Sequence, residues 1–129
     1  MFLPERLRIL VADDERVIAD TLALILNQHG YESVPVYGGR QAVEKAKRWS
    51  PDLFLADVNM PELNGIQAAI EICEIFPHCQ VLLFSGEPDS RILVRDANMN
   101  SLKCEFLEKP IPPVDLLSRI RRIRRIRAA

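Results

Sequence analysis

The chain has only three cysteines in its 129 residues, Cys73, Cys79 and Cys104, and no two of them stand in a CxxC spacing. An odd number without that spacing excludes a disulfide framework and a cysteine zinc site, and it points to buried free thiols in a reducing compartment. There are only two histidines, His29 and His78, too far apart in the sequence to form a metal motif, and both read as surface residues. No apolar run approaches the roughly 20 residues that cross a bilayer, so no membrane role is expected. The opening Met1-Phe2-Leu3-Pro4-Glu5-Arg6 lacks a basic segment leading into an apolar one, so it does not read as a signal peptide. Low-complexity stretches, domain-scale repeats and linkers are also absent. The expectation is one cytoplasmic domain over residues 1–129.

Hydrophobic residues make up 48% and charged residues 27%, a globular composition in a chain long enough to bury a core. The net charge of −1 hides an asymmetry: residues 119–129 hold six arginines and no acid, which leaves −7 on the rest. That tail, Arg119-Ile120-Arg121 through Arg125-Ile126-Arg127, repeats with period three. At about 100° per residue it cannot keep every apolar residue on one helix face. A helix extension with Ile126 exposed is expected. The plain reading is a solvated helix end with arginines favoured near the C-terminus. An acidic partner, self-association, nucleic-acid contact or the stub of a linker to an output domain are the functional readings.

Five short apolar runs alternate with five amphipathic segments. The runs are 7–12, 32–37, 53–57, 79–84 and 104–107. Leu53-Phe54-Leu55-Ala56 is apolar without alternation, as a strand buried on both faces requires. The second run contains Pro35, which cannot donate to a ladder and so marks an edge. Between the runs lie helical stripes: Ile18, Leu22, Ile25 and Leu26; Ala42, Val43, Ala46 and Trp49; Ile66, Ala69, Ile70, Cys73 and Phe76; Ile92, Leu93, Val94 and Ala97; and Leu116, Ile120 and Ile123. Gly65 reads as a turn after Pro61. Alternating strands and helices imply an α/β fold, a doubly wound five-stranded parallel sheet of the flavodoxin-like (βα)5 kind.

In a parallel sheet all strand C-termini share one edge, where ligands bind. Four of the five runs deliver polar groups there: Asp13 and Asp14, then Asp57, then Ser85, then Lys109. Three carboxylates brought together repel, and a divalent cation relieves this. Hard oxygen donors suit Mg²⁺, and Lys109 suits a phosphoryl oxygen. Asp57 is then a candidate nucleophile toward phosphorus. Each residue also has a plain reading: helix-capping acids, a loop cap, a surface lysine, a turn serine. Those readings do not explain why acids, hydroxyl and amine arrive at four strand ends in this order.

Asp13-Asp14, Asp57 before Asn59-Met60-Pro61, Gly65, Ser85 and Lys109-Pro110 together resemble the receiver domain of two-component response regulators, over a core of about residues 7–123. The resemblance implies that Asp57 accepts a phosphoryl group from a sensor histidine kinase or a phosphotransfer protein. It implies that Asp14 ligates Mg²⁺ directly, Asp13 through water, and Asn59 through its backbone carbonyl. Ser85, Gly86 and Lys109 would bind the phosphoryl group, with Lys109–Pro110 cis. Ser85 and Phe106 would move together as a switch that reshapes helix 4, strand 5 and helix 5, the surface for an unidentified downstream protein or for a dimer. Asn59 and Glu87 resemble the lifetime-tuning pair of single-domain chemotaxis regulators and imply fast self-dephosphorylation. Gly86 stands where relatives often have alanine, and Asn100-Ser101-Leu102-Lys103 where they often have Gly-Ala. The chain would be a phosphoacceptor and no enzyme in the ordinary sense. A small Mg-dependent phosphohydrolase of the haloacid-dehalogenase type is the alternative, but that family needs an acid where Asn59 stands. Nucleic-acid binding without an output domain is not expected.

Overall fold

The structure is a computed structural model that describes residues 6–99, 102 and 104–123. Its elements run β1 (Arg8–Ala12), α1 (Arg16–Gln28), β2 (Glu32–Val36), α2 (Gly39–Trp49), β3 (Leu53–Asp57), α3 (Gly65–Ile75), β4 (Gln80–Ser85), α4 (Ser90–Met99), β5 (Cys104–Glu108) and α5 (Pro113–Arg121). The five strands form one parallel sheet in the order β2-β1-β3-β4-β5. The Pro35 strand lies at an edge, where its missing N–H costs no ladder bond.

The unbroken apolar runs are explained by the two faces they serve. Leu10, Ala12, Phe54, Ala56, Val81 and Leu83 join the core beneath α2, α3 and α4. Their chain neighbours Ile9, Val11, Leu53, Leu55, Leu82 and Phe84 join a second core beneath α1 and α5. Each fully buried Leu, Ile or Phe is stabilised by about 1.5–3 kcal/mol relative to exposure, so a shift of strand register would disturb both cores together.

The helical stripes differ in detail from expectation. In α1 the buried positions are Ala19, Ala23 and Leu26, while Ile18, Leu22 and Ile25 flank them half-buried. Ala19 and Ala23 join the core that Ile9, Val11 and Leu55 form on that face of the sheet. Ile70 is exposed in α3, whose inward face is Ile66, Ala68, Ala69 and Ile72. Of the described apolar residues in α4 only Val94 is buried, and Ile92 and Leu93 face outward. Helix α5 stops at Arg121, where Arg122 and Ile123 donate three-residue turn bonds to Arg119 and Ile120. The helix extension expected over residues 119–129 is described only to Ile123; residues 124–129, with Ile126, lie outside the described residues.

Gly65 serves a different purpose from the turn expected of it. A Cβ there would stand 2.3 Å from the Asp57 carbonyl oxygen. The residue opens α3 directly against the end of β3, and its N–H donates to the Val58 carbonyl at 2.9 Å. The preceding Asn64 caps α3 in a reciprocal capping box with Gln67. The β3–α3 connection is therefore fixed at both ends, and with it the position of Asp57.

Candidate functional site

The sheet order places β1 beside β3, with β4 and β5 following. The C-terminal ends of these four strands carry all the polar residues singled out from the sequence. Asp13 is fully buried just past β1, and its N–H donates to Val36 O at 3.2 Å. Its Oδ1 accepts the Glu15 N–H at 2.9 Å, a local turn that points the carboxylate into the site. Asp14 is exposed on the rim. Asp57 ends β3 and is buried, with Oδ1 accepting the Asn59 N–H at 2.9 Å. One oxygen from each of Asp13, Asp14 and Asp57 lies within 4.8 Å of the others.

Lys109 closes the site from β5. Its backbone N–H donates to Ser85 O at 3.0 Å, and its bond to Pro110 is cis. Its side chain passes the Phe84 ring, with Nζ 5.0 Å from the ring centroid. The ammonium then donates to Asp57 Oδ2 at 2.8 Å and to Asp13 Oδ2 at 3.3 Å. Burial pushes the Asp13 pKa up, and the Asp57 charge adds to this; the Glu15 N–H and the Lys109 charge oppose it without cancelling it. For Lys109 burial works against the charged form, but the bond to Asp57 and the charges of Asp57 and Asp13 outweigh it, and the pKa is raised.

Three carboxylates around one ammonium leave an excess of two negative charges. All the side-chain donors of the acidic cluster are hard oxygens, and one of them is open to solvent. That donor set fits Mg²⁺, which keeps several waters and takes one or two carboxylates.

Beside the acids lies a second polar cluster. Ser85 ends β4 with its hydroxyl buried. The Asn59 amide donates to Ser85 Oγ at 2.6 Å and to Ser90 Oγ at 3.3 Å. The Glu87 N–H donates to Ser85 Oγ at 3.0 Å, and Ser85 and Ser90 share a hydrogen bond at 2.8 Å. Sequence reasoning missed Ser90, the buried first residue of α4. A serine just ahead of an apolar-periodic segment signals a helix start, but nothing local says that it meets Ser85.

The remaining residues flank these clusters. The Glu87 residue is exposed. A Cβ at Gly86 would meet only Lys109 Cβ at 3.8 Å, so an alanine would fit there. Phe106 is half-buried, with the Arg91 guanidinium 5.2 Å over its ring and Arg91 paired with Glu108. A cavity of about 260 Å³ opens between Ser85, Phe106 and Lys109. On the other side of Lys109 an apolar groove of about 340 Å³ runs between Ile18, Leu22 and Ile111. Of the cysteines, expected to be buried, only Cys79 is fully so, and Cys73 and Cys104 are partly buried; both histidines are exposed, as expected.

Comparison with known proteins agrees with this geometry. Residues 9–121 match the response regulator receiver domain family. The chain is 30% identical over 117 residues to the chemotaxis protein CheY of Thermotoga maritima, covering 90% of this chain and 96% of that protein. It is 40% identical over 116 residues to the transcriptional regulatory protein PdtaR of Mycobacterium tuberculosis, covering 88% of this chain. The chain spans about half of that relative, 54%. Among solved structures, a CheY-like receiver domain protein from Methanospirillum hungatei superposes with a TM-score of 0.83 at 24% identity, over 92% of this chain and 93% of that one.

Proposed function

Because the chain belongs to the response regulator receiver domain family, a family of two-component signalling, we propose that it is a switch that takes a phosphoryl group on Asp57. The observation that carries this reading is the Asp57 carboxylate at the sheet edge, 2.8 Å from Lys109 and grouped with Asp13 and Asp14. The donor is the phosphohistidine of a sensor kinase or of a phosphotransfer protein. An Asp57 oxygen forms the O–P bond while the P–N bond of the donor breaks and its electron pair stays on the imidazole nitrogen. Lys109 turns its hydrogen bond from Asp57 Oδ2 to a phosphoryl oxygen and stabilises the charge there. Asp13, Asp14, Asp57 and the Asn59 backbone carbonyl hold Mg²⁺, which when bound offsets the negative charge of the transferring group. The chain's chemistry is self-phosphorylation and self-dephosphorylation only.

Ser85 then donates to a phosphoryl oxygen, beside Gly86, and Phe106 moves toward the cavity next to Ser85. The surface of α4, β5 and α5 changes with them. Exposed Ile92 and Leu93 on α4 and the cross-element pairs Arg91–Glu108 and Arg119–Glu105 lie on that surface, which meets a downstream protein or a second copy. The functional unit comprises residues 7–123 within a single domain, and it acts in the cytoplasm. Asn59 and Glu87 shorten the life of the phosphoryl group.

The test is incubation with Mg²⁺ and acetyl phosphate followed by intact mass, for wild type and Asp57→Ala. One added phosphoryl group, lost in the variant and with EDTA, is expected, with decay well under an hour. A persistent adduct would remove the lifetime role of Asn59 and Glu87. An adduct that survives in Asp57→Ala would overturn the assignment of the acceptor.

A further inference from the structure

Ser85 Oγ has three hydrogen-bond partners. Two of them are the Asn59 amide nitrogen at 2.6 Å and the Glu87 backbone nitrogen at 3.0 Å, and both can only donate. The third is the Ser90 hydroxyl, which donates to Ser85 Oγ at 2.8 Å. The Asn59 amide nitrogen also stands 3.3 Å from Ser90 Oγ, so Asn59, Ser85 and Ser90 form a closed triangle. Both serines are about 1% exposed, which leaves little water to replace a lost partner.

We propose that Ser90 is a positioning residue: it donates its hydroxyl hydrogen to Ser85 Oγ, holds Ser85 away from the phosphoryl site, and ties the switch directly to the first turn of α4. This rests on the phosphoacceptor reading above. For Ser85 to turn to a phosphoryl oxygen its hydroxyl must leave the Ser90 hydrogen bond. Ser90 is the first residue of α4, and its N–H closes a turn onto Glu87 O at 3.2 Å. Breaking the Ser85–Ser90 bond therefore frees the helix start that carries Arg91 and Ile92. This link to α4 is separate from the one through Phe106.

When Ser85 turns away, the buried Ser90 hydroxyl loses its acceptor, and a buried polar group stripped of its partner is costly. Removing the Ser90 hydroxyl removes that cost together with a bond made in the unphosphorylated state alone, so the variant is displaced toward the phosphorylated arrangement. The experiment is an NMR titration of Mg²⁺-saturated protein with beryllofluoride, a phosphoryl analogue, read at Lys109 and at the start of α4. For Ser90→Ala the half-saturating concentration is expected to fall about tenfold. Ser90→Thr, which returns the hydroxyl, is expected to restore the wild-type value. In a Ser85→Ala background the Ser90→Ala change is expected to have no effect, since the pair is already broken. A merely structural role for Ser90 would give the same shift in both backgrounds, and that result, or an unchanged or raised half-saturation in Ser90→Ala, overturns the proposal. Wild type that shows no Asp57-dependent beryllofluoride response would overturn the phosphoacceptor reading itself, and this inference with it.

Discussion

Replacing Gly65 with alanine drives a methyl group into the backbone that carries the acceptor carboxylate. The new Cβ would stand 2.3 Å from Asp57 O, 3.0 Å from Asp57 C and 3.1 Å from Val58 Cα. All three atoms are main chain, so no side-chain rotamer relieves the contact. Ordinary van der Waals contact begins near 3.4 Å, and α3 and the end of β3 must part by about 1 Å to reach it. The Gly65 N–H to Val58 O bond spans that gap and stretches with it. Overpacking of this kind costs about 1–3 kcal/mol, and a weakened buried hydrogen bond adds about 1 kcal/mol. Alanine returns about 0.5–1 kcal/mol through its helix propensity and the stiffer unfolded chain. The net expectation is a loss of about 1–3.5 kcal/mol. For a chain of this length that is a fall in Tm of about 4–14 °C. Thermal unfolding followed by circular dichroism measures it, with Gly86→Ala as the control. At Gly86 the nearest atom to a new Cβ is Lys109 Cβ at 3.8 Å, so its Tm should stay within about 2 °C of wild type. Mg²⁺ affinity should fall in Gly65→Ala alone, because the shift moves Asp57 and Asn59. A Gly65→Ala protein that melts within about 2 °C of wild type would refute the close-approach argument.

The charge cluster yields further expectations. Asp13 has a raised pKa in the fold, so the metal-free protein loses stability as pH rises from 3.8 through that raised value and carries the penalty at neutral pH. Asp13→Asn is therefore expected to raise Tm in EDTA while weakening Mg²⁺ binding, and equal melting temperatures at pH 7 would contradict this. Lys109 has a raised pKa, so its stabilising contribution is present below 10.5 and is lost as alkaline pH passes its folded value. In Lys109→Gln, urea titrations in EDTA should show a loss of about 1–3 kcal/mol, with part of it recovered on adding Mg²⁺. Away from the site, Asn27 clips β2 by accepting from Ser33 N at 2.7 Å and donating to Ser33 O at 3.2 Å. Asn27→Ala should cost about 1–2 kcal/mol without changing Mg²⁺ affinity, as paired urea and Mg²⁺ titrations would show.

The amino-acid sequence by itself determined the sheet, its partners on both faces and the list of polar strand ends. Leu53-Phe54-Leu55-Ala56 can only be a strand covered twice, and five such units joined by helices leave little topological choice. Once the strands are parallel, Asp13, Asp14, Asp57, Ser85 and Lys109 must reach one edge, so most of the site was legible before any coordinate. The tertiary structure alone decided what those groups touch. Gly65 looks like a turn residue until Asp57 O is found 2.3 Å from its absent side chain. The α1 stripe looks centred on Ile18 and Leu22 until Ala19 and Ala23, with Leu26, prove to be the buried positions. Ser90 looks like an ordinary helix start until its hydroxyl meets Ser85 across the β4–α4 turn. The reason is the same in each case. Periodicity reports which side of an element is apolar, a property of one segment, whereas close approach and hydrogen-bond partnership belong to pairs of segments and exist only after packing has set the distance between them.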